Sequence, residues 1–284
     1  MALSANRIDL SPALTDEDFQ HFAEFFYQRT GILFAANKRY FVDRRLQERI
    51  LKSGRETFRD YFESLRRDSS EYQLLVNAMT VNETYFYRET YQLECLVKSI
   101  LPEVIKTLGP SRTIRIWSMP CSTGEEPYSI AFYLLENWRL VDEYEIEIVA
   151  SDIDTEALGK AKTGYYSARS LQYVPTATLK KYTTDEEDGT RRVAPALRSS
   201  IRFASANLLD AKALMSFRDF HVVFCRNLLI YFDDLSRREA GEALFGAMAK
   251  GGFICLGHSE SMSRISSLFE LRKFPEAIVY RKPL

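Results

Sequence analysis

Residues 114–127 read Ile114-Arg115-Ile116-Trp117-Ser118-Met119-Pro120-Cys121-Ser122-Thr123-Gly124-Glu125-Glu126-Pro127, and this stretch decides the fold. Ile114 to Trp117 has the pattern of a short strand, a loop follows, and an apolar helix is predicted from Tyr128 to Leu140. A strand-loop-helix unit presents backbone N–H groups at a helix N-terminus, which suits a polar ligand. The single glycine excludes a GxGxxG fingerprint, and Glu125 stands where a P-loop needs lysine. Two acids at the helix start repel phosphate and suit a cationic or hydroxyl-rich ligand, although helix N-capping alone also accounts for them.

Downstream the pattern repeats. A strand is expected over Glu145 to Ala150 and a helix from Thr155 to Lys162, with Asp152 between them. Further strands are expected at Ile201 to Phe203, Val222 to Phe224, Phe253 to Leu256 and Ala277 to Arg281, and a helix from about Leu235 to Lys250. Alternation of this kind makes an α/β fold with a mainly parallel sheet, which binds ligands outside the carboxyl ends of its strands. An acid ending the second strand commonly accepts from ribose hydroxyls, and Asp152 sits close to the expected distance from Gly124, though slightly beyond it. A ligand with ribose and positive charge but no pyrophosphate points to S-adenosylmethionine rather than NAD. Residues 164–200 break the rhythm with Pro175, Pro195 and the acidic run Asp185-Glu186-Glu187-Asp188-Gly189, and read as a small inserted subdomain.

Upstream the grammar is helical. Thr15 and Asp18 resemble a capping box, Phe19, Phe22 and Phe26 share a face, and Gly31 ends the segment. Helices follow over about 38–52, 57–67 and 70–79, making a small bundle. In the first of these, Lys38, Arg45, Arg49 and Lys52 form a basic stripe beside the apolar stripe Val42, Leu46, Ile50. The domains expected are thus 1–80 helical, 81–110 a linker helix, and 111–284 the sheet domain.

A formal net charge of −1 over 284 residues excludes a generally basic nucleic-acid footprint. Cys95, Cys121, Cys225 and Cys255 form no CxxC pair, and His21, His221 and His258 show no ligand spacing, so no metal is expected. Arg7, Asp9 and Pro12 interrupt any signal-peptide core, and no apolar run is long enough to span a bilayer, so a cytoplasmic chain is expected.

Six blocks in order resemble the CheR-type chemoreceptor glutamate methyltransferase family: Asn82 to Glu89, Trp117 to Ser129, Ala150 to Thr155, Asn207 to Leu209, Phe224 to Asp233, and Gly257 to Ser261. The resemblance implies a class I, Rossmann-like methyltransferase domain with a seven-stranded sheet and a small β-subdomain insert, beside an N-terminal helical bundle. It implies S-adenosylmethionine as cofactor, S-adenosylhomocysteine as product, and no metal. Cofactor contacts would fall on Asn82, Thr84, Arg88, Glu126, Asp152, Asn207, Leu208, Arg226 and Asn227. Arg88 would orient the substrate carboxylate and Tyr231 would stand at the methyl site. The partner would be the cytoplasmic helical region of methyl-accepting chemoreceptors, met by Lys38, Arg45, Arg49 and Lys52, with the enzyme a monomer that neither binds nucleic acid nor inserts into membrane.

The chain departs from the family pattern at Met119-Pro120, where small residues and glycine are common, and at Tyr87, where phenylalanine is common. Its insert carries an acidic loop instead of a glycine-rich one, which favours a form that needs no receptor C-terminal peptide tether. Two rival readings are a methyltransferase of the same fold acting on nucleic acid or a small molecule, and a cofactor-sensing module without turnover. Joint presence of Arg88, Asp152, Asn227 and Tyr231 argues against the second.

Overall fold

In the computed structural model, which describes residues 14–108 and 112–284, the chain divides into two units, Met1–Thr80 and Val81–Leu284. Arg7, Asp9, Pro12 and residues 109–111 lie outside the described residues.

The first unit holds α1 (Asp16–Thr30), α2 (Arg39–Lys52), α3 (Phe58–Leu65) and α4 (Ser69–Met79). Both halves of the capping box form: Asp18 N donates to Thr15 Oγ1 (3.1 Å), and Thr15 N to Asp18 Oδ2 (3.0 Å). Gly31, at φ 71°, closes α1, a left-handed turn that costs glycine little. Phe22 and Phe26 are fully buried with Val42, Leu46, Ile50 and Tyr61, so the apolar stripe of α2 faces the core.

The second unit opens on a correction. The expected linker helix occupies only its later part, as α5 (Thr90–Cys95), a π turn (Leu96–Ile100) and α6 (Leu101–Thr107). Residues 81–89 are turn and irregular chain, because Tyr87 and Glu89 adopt positive φ (61° and 56°), which no α-helix accommodates. The π turn sits just before Pro102, whose ring removes one N–H donor from the helical ladder.

There follow β1 (Thr113–Ser118), α7 (Glu125–Asn137), β2 (Glu145–Asp152), α8 (Thr155–Thr163), β3 (Tyr165–Tyr166), α9 (Thr176–Tyr182), β4 (Thr183–Asp185), β5 (Arg191–Val193), α10 (Pro195–Ser200), β6 (Ile201–Ser205), β7 (Phe220–Cys225), α11 (Asp234–Ala247), β8 (Met248–Leu256), β9 (Glu270–Lys273) and β10 (Ile278–Arg281). Seven strands make one sheet in the order β6-β2-β1-β7-β8-β10-β9. The five from β6 to β8 are parallel, and β10 runs antiparallel to both neighbours. Within 164–200 lies a separate antiparallel sheet, β3-β5-β4, whose β4–β5 hairpin turns at the acidic run.

Helix α7 starts three residues earlier than its apolar pattern suggests, with Gly124 as its left-handed N-cap and Pro127 inside the first turn, where proline is tolerated. Strand β9 reads Glu270-Leu271-Arg272-Lys273 and lies at the sheet edge. Its charge hides it from a search for apolar runs and suits an edge.

Candidate functional site

The chain runs from β1 outward to β2 and β6, then returns to the other side of β1 as β7. At this reversal the connections leave in opposite directions and open a crevice at the carboxyl ends of β1 and β7. The loop after β1 is pinned to both neighbours: Met119 N donates to Phe224 O (2.8 Å) and Cys121 N to Ser151 O (2.9 Å). The two donors straddle Pro120, so its missing N–H takes nothing from this anchoring; the Met119–Pro120 peptide is cis. Gly124, at φ 97°, is required sterically, since a Cβ there would lie 2.8 Å from both Ala161 Cβ and Tyr166 Oη.

The two acids after β2 divide the labour. Asp154 caps α8, accepting at Oδ1 from Glu156 N and Ala157 N (both 2.9 Å) and at Oδ2 from Asn82 Nδ2 (2.8 Å). Asp152 accepts from Ser122 N (2.7 Å) and Asp154 N (2.9 Å). Burial raises its carboxyl to about pKa 6 despite these bonds. Asn82 also accepts from Ser122 Oγ (2.7 Å), so it joins the loops after β1 and β2.

A buried charge network lies beneath the crevice. Arg226, at the end of β7, donates Nη1 to Glu126 Oε2 (2.9 Å) and Nη2 to the main-chain oxygen of Arg88 (2.8 Å). Its Nη2 also stands 3.2 Å from Glu89 Oε2. Glu126 accepts from Ser118 Oγ as well (2.7 Å). Burial raises the Glu126 carboxyl, with Arg226 opposing, whereas at Glu89 the pull of Arg226 and hydrogen bonds from His258 and Tyr91 outweigh burial and lower it. Glu125 turns away from the crevice, accepting from Thr123 and Ser170.

One pocket is lined by Val81, Glu83, Thr84, Tyr85, Arg88, Pro120, Ser122, Glu126, Arg226 and Asn227, among others. The structure thus gathers Thr84, Arg88, Glu126, Arg226 and Asn227 from the expected set and places Asn82 and Asp152 one hydrogen bond away through Ser122. Arg88 donates Nη1 to the main-chain oxygen of Glu83 (2.8 Å) and stands over the Tyr85 ring at 5.9 Å. Tyr231 lies in a 3-10 turn and is 38% exposed; partial burial and Glu83 raise its phenol while Arg88 lowers it. Leu208 is buried, and Asn207 Oδ1 accepts from Leu209 N (3.0 Å); neither lines the pocket.

Sequence reading left Asp154 and Glu260 without roles and did not foresee Glu89 as the partner of Arg226. Glu89 meets Arg226 across more than a hundred residues of chain, so no local spacing exposes that pair. In the helical unit, Arg49 is engaged inwards: its guanidinium grips Glu71 (Nε 3.0 Å, Nη2 2.6 Å), which also accepts from Tyr61 Oη (2.7 Å). Arg45 Nη1 donates to Ala78 O (2.5 Å), whereas Lys38 and Lys52 are exposed.

These residues fit S-adenosylmethionine. Asp152 supplies acceptors at the strand end, and Arg226 is neutralised by two carboxylates, which disfavours a phosphate. A family model described as the SAM binding domain of CheR methyltransferase matches residues 82–278, and its all-alpha companion matches 17–80. The chain belongs to the CheR methyltransferase family. It is 49% identical over 272 residues to chemotaxis protein methyltransferase 2 of Vibrio cholerae, covering 95% of this chain and 94% of that one. It is 35% identical over 265 residues to the chemotaxis protein methyltransferase of Escherichia coli (92% and 90% covered). Chemotaxis protein methyltransferase 1 of Pseudomonas aeruginosa is 33% identical over 276 residues (93% and 97%).

As a CheR methyltransferase the chain uses S-adenosylmethionine, and its first unit is the family's all-alpha domain. Among the described residues no cluster could hold a metal ion, and no helix is long and apolar enough to cross a membrane.

Proposed function

We propose that this enzyme transfers the methyl group of S-adenosylmethionine to glutamate side-chain carboxylates of bacterial chemoreceptors in the cytoplasm, giving methyl esters and S-adenosylhomocysteine. The contrast between the pocket's two arginines carries this reading. Arg226 is neutralised by Glu126 and Glu89, whereas Arg88 forms no ion pair among the described residues. A pocket cation without a carboxylate of its own suits an incoming carboxylate.

When bound, S-adenosylmethionine supplies an electrophilic methyl group on a sulfonium. A glutamate carboxylate is ionised at neutral pH, with an ordinary pKa of about 4.3, so no general base is needed. Arg88 holds that carboxylate, and alignment for in-line displacement accounts for roughly 7–11 kcal/mol in well-oriented reactions. Tyr231 and Tyr85 wall the acceptor from water, which strengthens a carboxylate nucleophile. Asp152 takes the ribose, Asn82, Thr84, Glu126 and Asn227 line the cofactor, and Asn207 with Leu208 flank its adenine. Charge on Arg88 must not over-stabilise the ground state, because both reactant charges vanish in the ester.

Lys38, Lys52 and Arg45 form the helical unit's contribution to receptor encounter, steering towards acidic helices; Arg49 supports that surface through Glu71. The acidic β4–β5 turn supports a form that works without a peptide tether, and the enzyme acts as a monomer.

Labelled S-adenosylmethionine and receptor-bearing membranes test the proposal. Label released as methanol by mild alkali is the expected result, since carboxyl esters hydrolyse. Alkali-stable label would place the acceptor on nitrogen and overturn it.

A further inference from the structure

The segment Gly257 to Glu260 follows β8, the strand paired in parallel with β7 through Cys225 and Leu256. Glu260 N donates to Gly257 O (2.9 Å), closing a turn. Within that turn Glu260 Oε2 accepts two main-chain donors: Gly257 N (2.9 Å) and, from the neighbouring strand end, Asn227 N (2.8 Å). Asn227 is left-handed at φ 59°, outside the strand ladder, so its N–H needs an acceptor from elsewhere. The two turns meet closely: a Cβ on residue 257 would lie 2.8 Å from Asn227 Nδ2 and 2.9 Å from Glu260 Oε2. Gly257 is therefore the residue that lets the carboxylate reach Asn227.

Asn227 is the pivot of the site. Arg226 before it carries the buried charge network, and the 3-10 turn Leu229–Tyr231 follows it, with Tyr231 N donating to Leu228 O (3.0 Å). Asn227 itself lines the pocket. Anything that fixes its conformation fixes the relative placement of Arg226 and Tyr231. A carboxylate oxygen accepting two N–H donors is suited to that task, since charge-assisted bonds are about twice as strong as neutral ones.

We propose that Glu260 is a positioning residue for methyl transfer: its carboxylate clasps the Asn227 turn and sets the spacing between Arg226 and Tyr231, without touching the reacting groups. The part concerning transfer rests on the proposed function above; the part concerning the cofactor does not. Calorimetry with S-adenosylhomocysteine therefore comes first, followed by kcat and KM for methyl transfer to receptor membranes. Glu260→Ala should weaken binding about 10-fold or more and lower kcat about 100-fold with receptor KM little changed, as displacement by about 1 Å can cost that much. Glu260→Gln should fall between the parent and the alanine variant, because an amide oxygen can accept both N–H groups but without charge assistance. Glu260→Asp, one methylene short, should behave like the alanine variant. A Glu260→Ala protein that binds and turns over like the parent overturns the proposal, as does a Glu260→Gln protein as impaired as Glu260→Ala. If the alanine variant does not fold, the Gln and Asp variants decide: equal affinities for the two overturn it.

Discussion

Arg226 and Glu126 form an ion pair of 2.9 Å at the carboxyl end of β7, with the arginine side chain only 5% exposed and the glutamate 13%. Glu89 completes the set from the other side. Removing the cation leaves two carboxylates facing each other out of water. Arg226→Ala should therefore destabilise the enzyme by about 3–5 kcal/mol as well as abolish turnover, and thermal unfolding measures the first effect apart from the second.

The proposed contact of Asp152 with the ribose predicts pH-dependent cofactor binding. In the folded chain it holds its proton up to about pH 6, against an ordinary 3.8. Its contribution to stability is fully present below pH 3.8 and is lost as pH rises through about 6. Ligand affinity moves oppositely, because the carboxylate accepts from ribose hydroxyls more strongly than the neutral acid does. Calorimetry should find S-adenosylhomocysteine bound about 10-fold more tightly at about pH 7 than at about pH 5, and Asp152→Asn should flatten the profile.

The proposed role of Arg88, holding the acceptor carboxylate rather than the cofactor, predicts that binding and chemistry separate. Arg88→Ala should leave S-adenosylhomocysteine affinity within about threefold of the parent while kcat falls about 100-fold or more. Full turnover at saturating receptor would remove its role.

Gly124→Ala would drive a methyl group into α8 while holding an L-residue at φ 97°. A stability loss of about 1–3 kcal/mol from the backbone alone, with cofactor affinity falling further, is the expected outcome in melting and binding measurements.

Lys38, Arg45, Arg49 and Lys52, the basic stripe of the helical unit, should not behave alike. Arg49→Ala should lower the unfolding free energy by about 3–5 kcal/mol, since Glu71 loses its partner. Lys38→Ala and Lys52→Ala should leave melting unchanged and lower kcat/KM for receptor at low ionic strength, an effect that fades towards about 0.5 M salt. Salt-independent rates would exclude steering.

Much of this was legible in the chain. The periodicity of Ile114–Trp117 and Glu145–Ala150, with Gly124 and Asp152 at their ends, led to the sheet and its crevice because local pattern and local chemistry coincide there. The helical linker was read too far upstream: residues 81–89 lack proline and glycine, and nothing local reveals that Tyr87 and Glu89 turn left-handed. The basic stripe on α2 was visible as geometry, but its engagement with Glu71 and Ala78 depends on α4, which helical spacing within α2 does not report. Arg226 meets Glu89 in the turn before α5, and Glu260 meets Asn227 between neighbouring strand ends; both contacts depend on tertiary packing that local sequence does not report.

All four cysteines are buried, and burial raises their thiols, Cys95 to about 12 and Cys121, Cys225 and Cys255 well above the usual range. Every one lies in the unit from Val81 to Leu284. Alkylating reagents applied to the native enzyme should therefore modify it only as fast as that unit opens. The helical unit contributes no thiol among its described residues, so the labelling rate is an internal clock for the methyltransferase half alone. A cysteine introduced on the exposed face of α2 would carry a probe without competition from the native four.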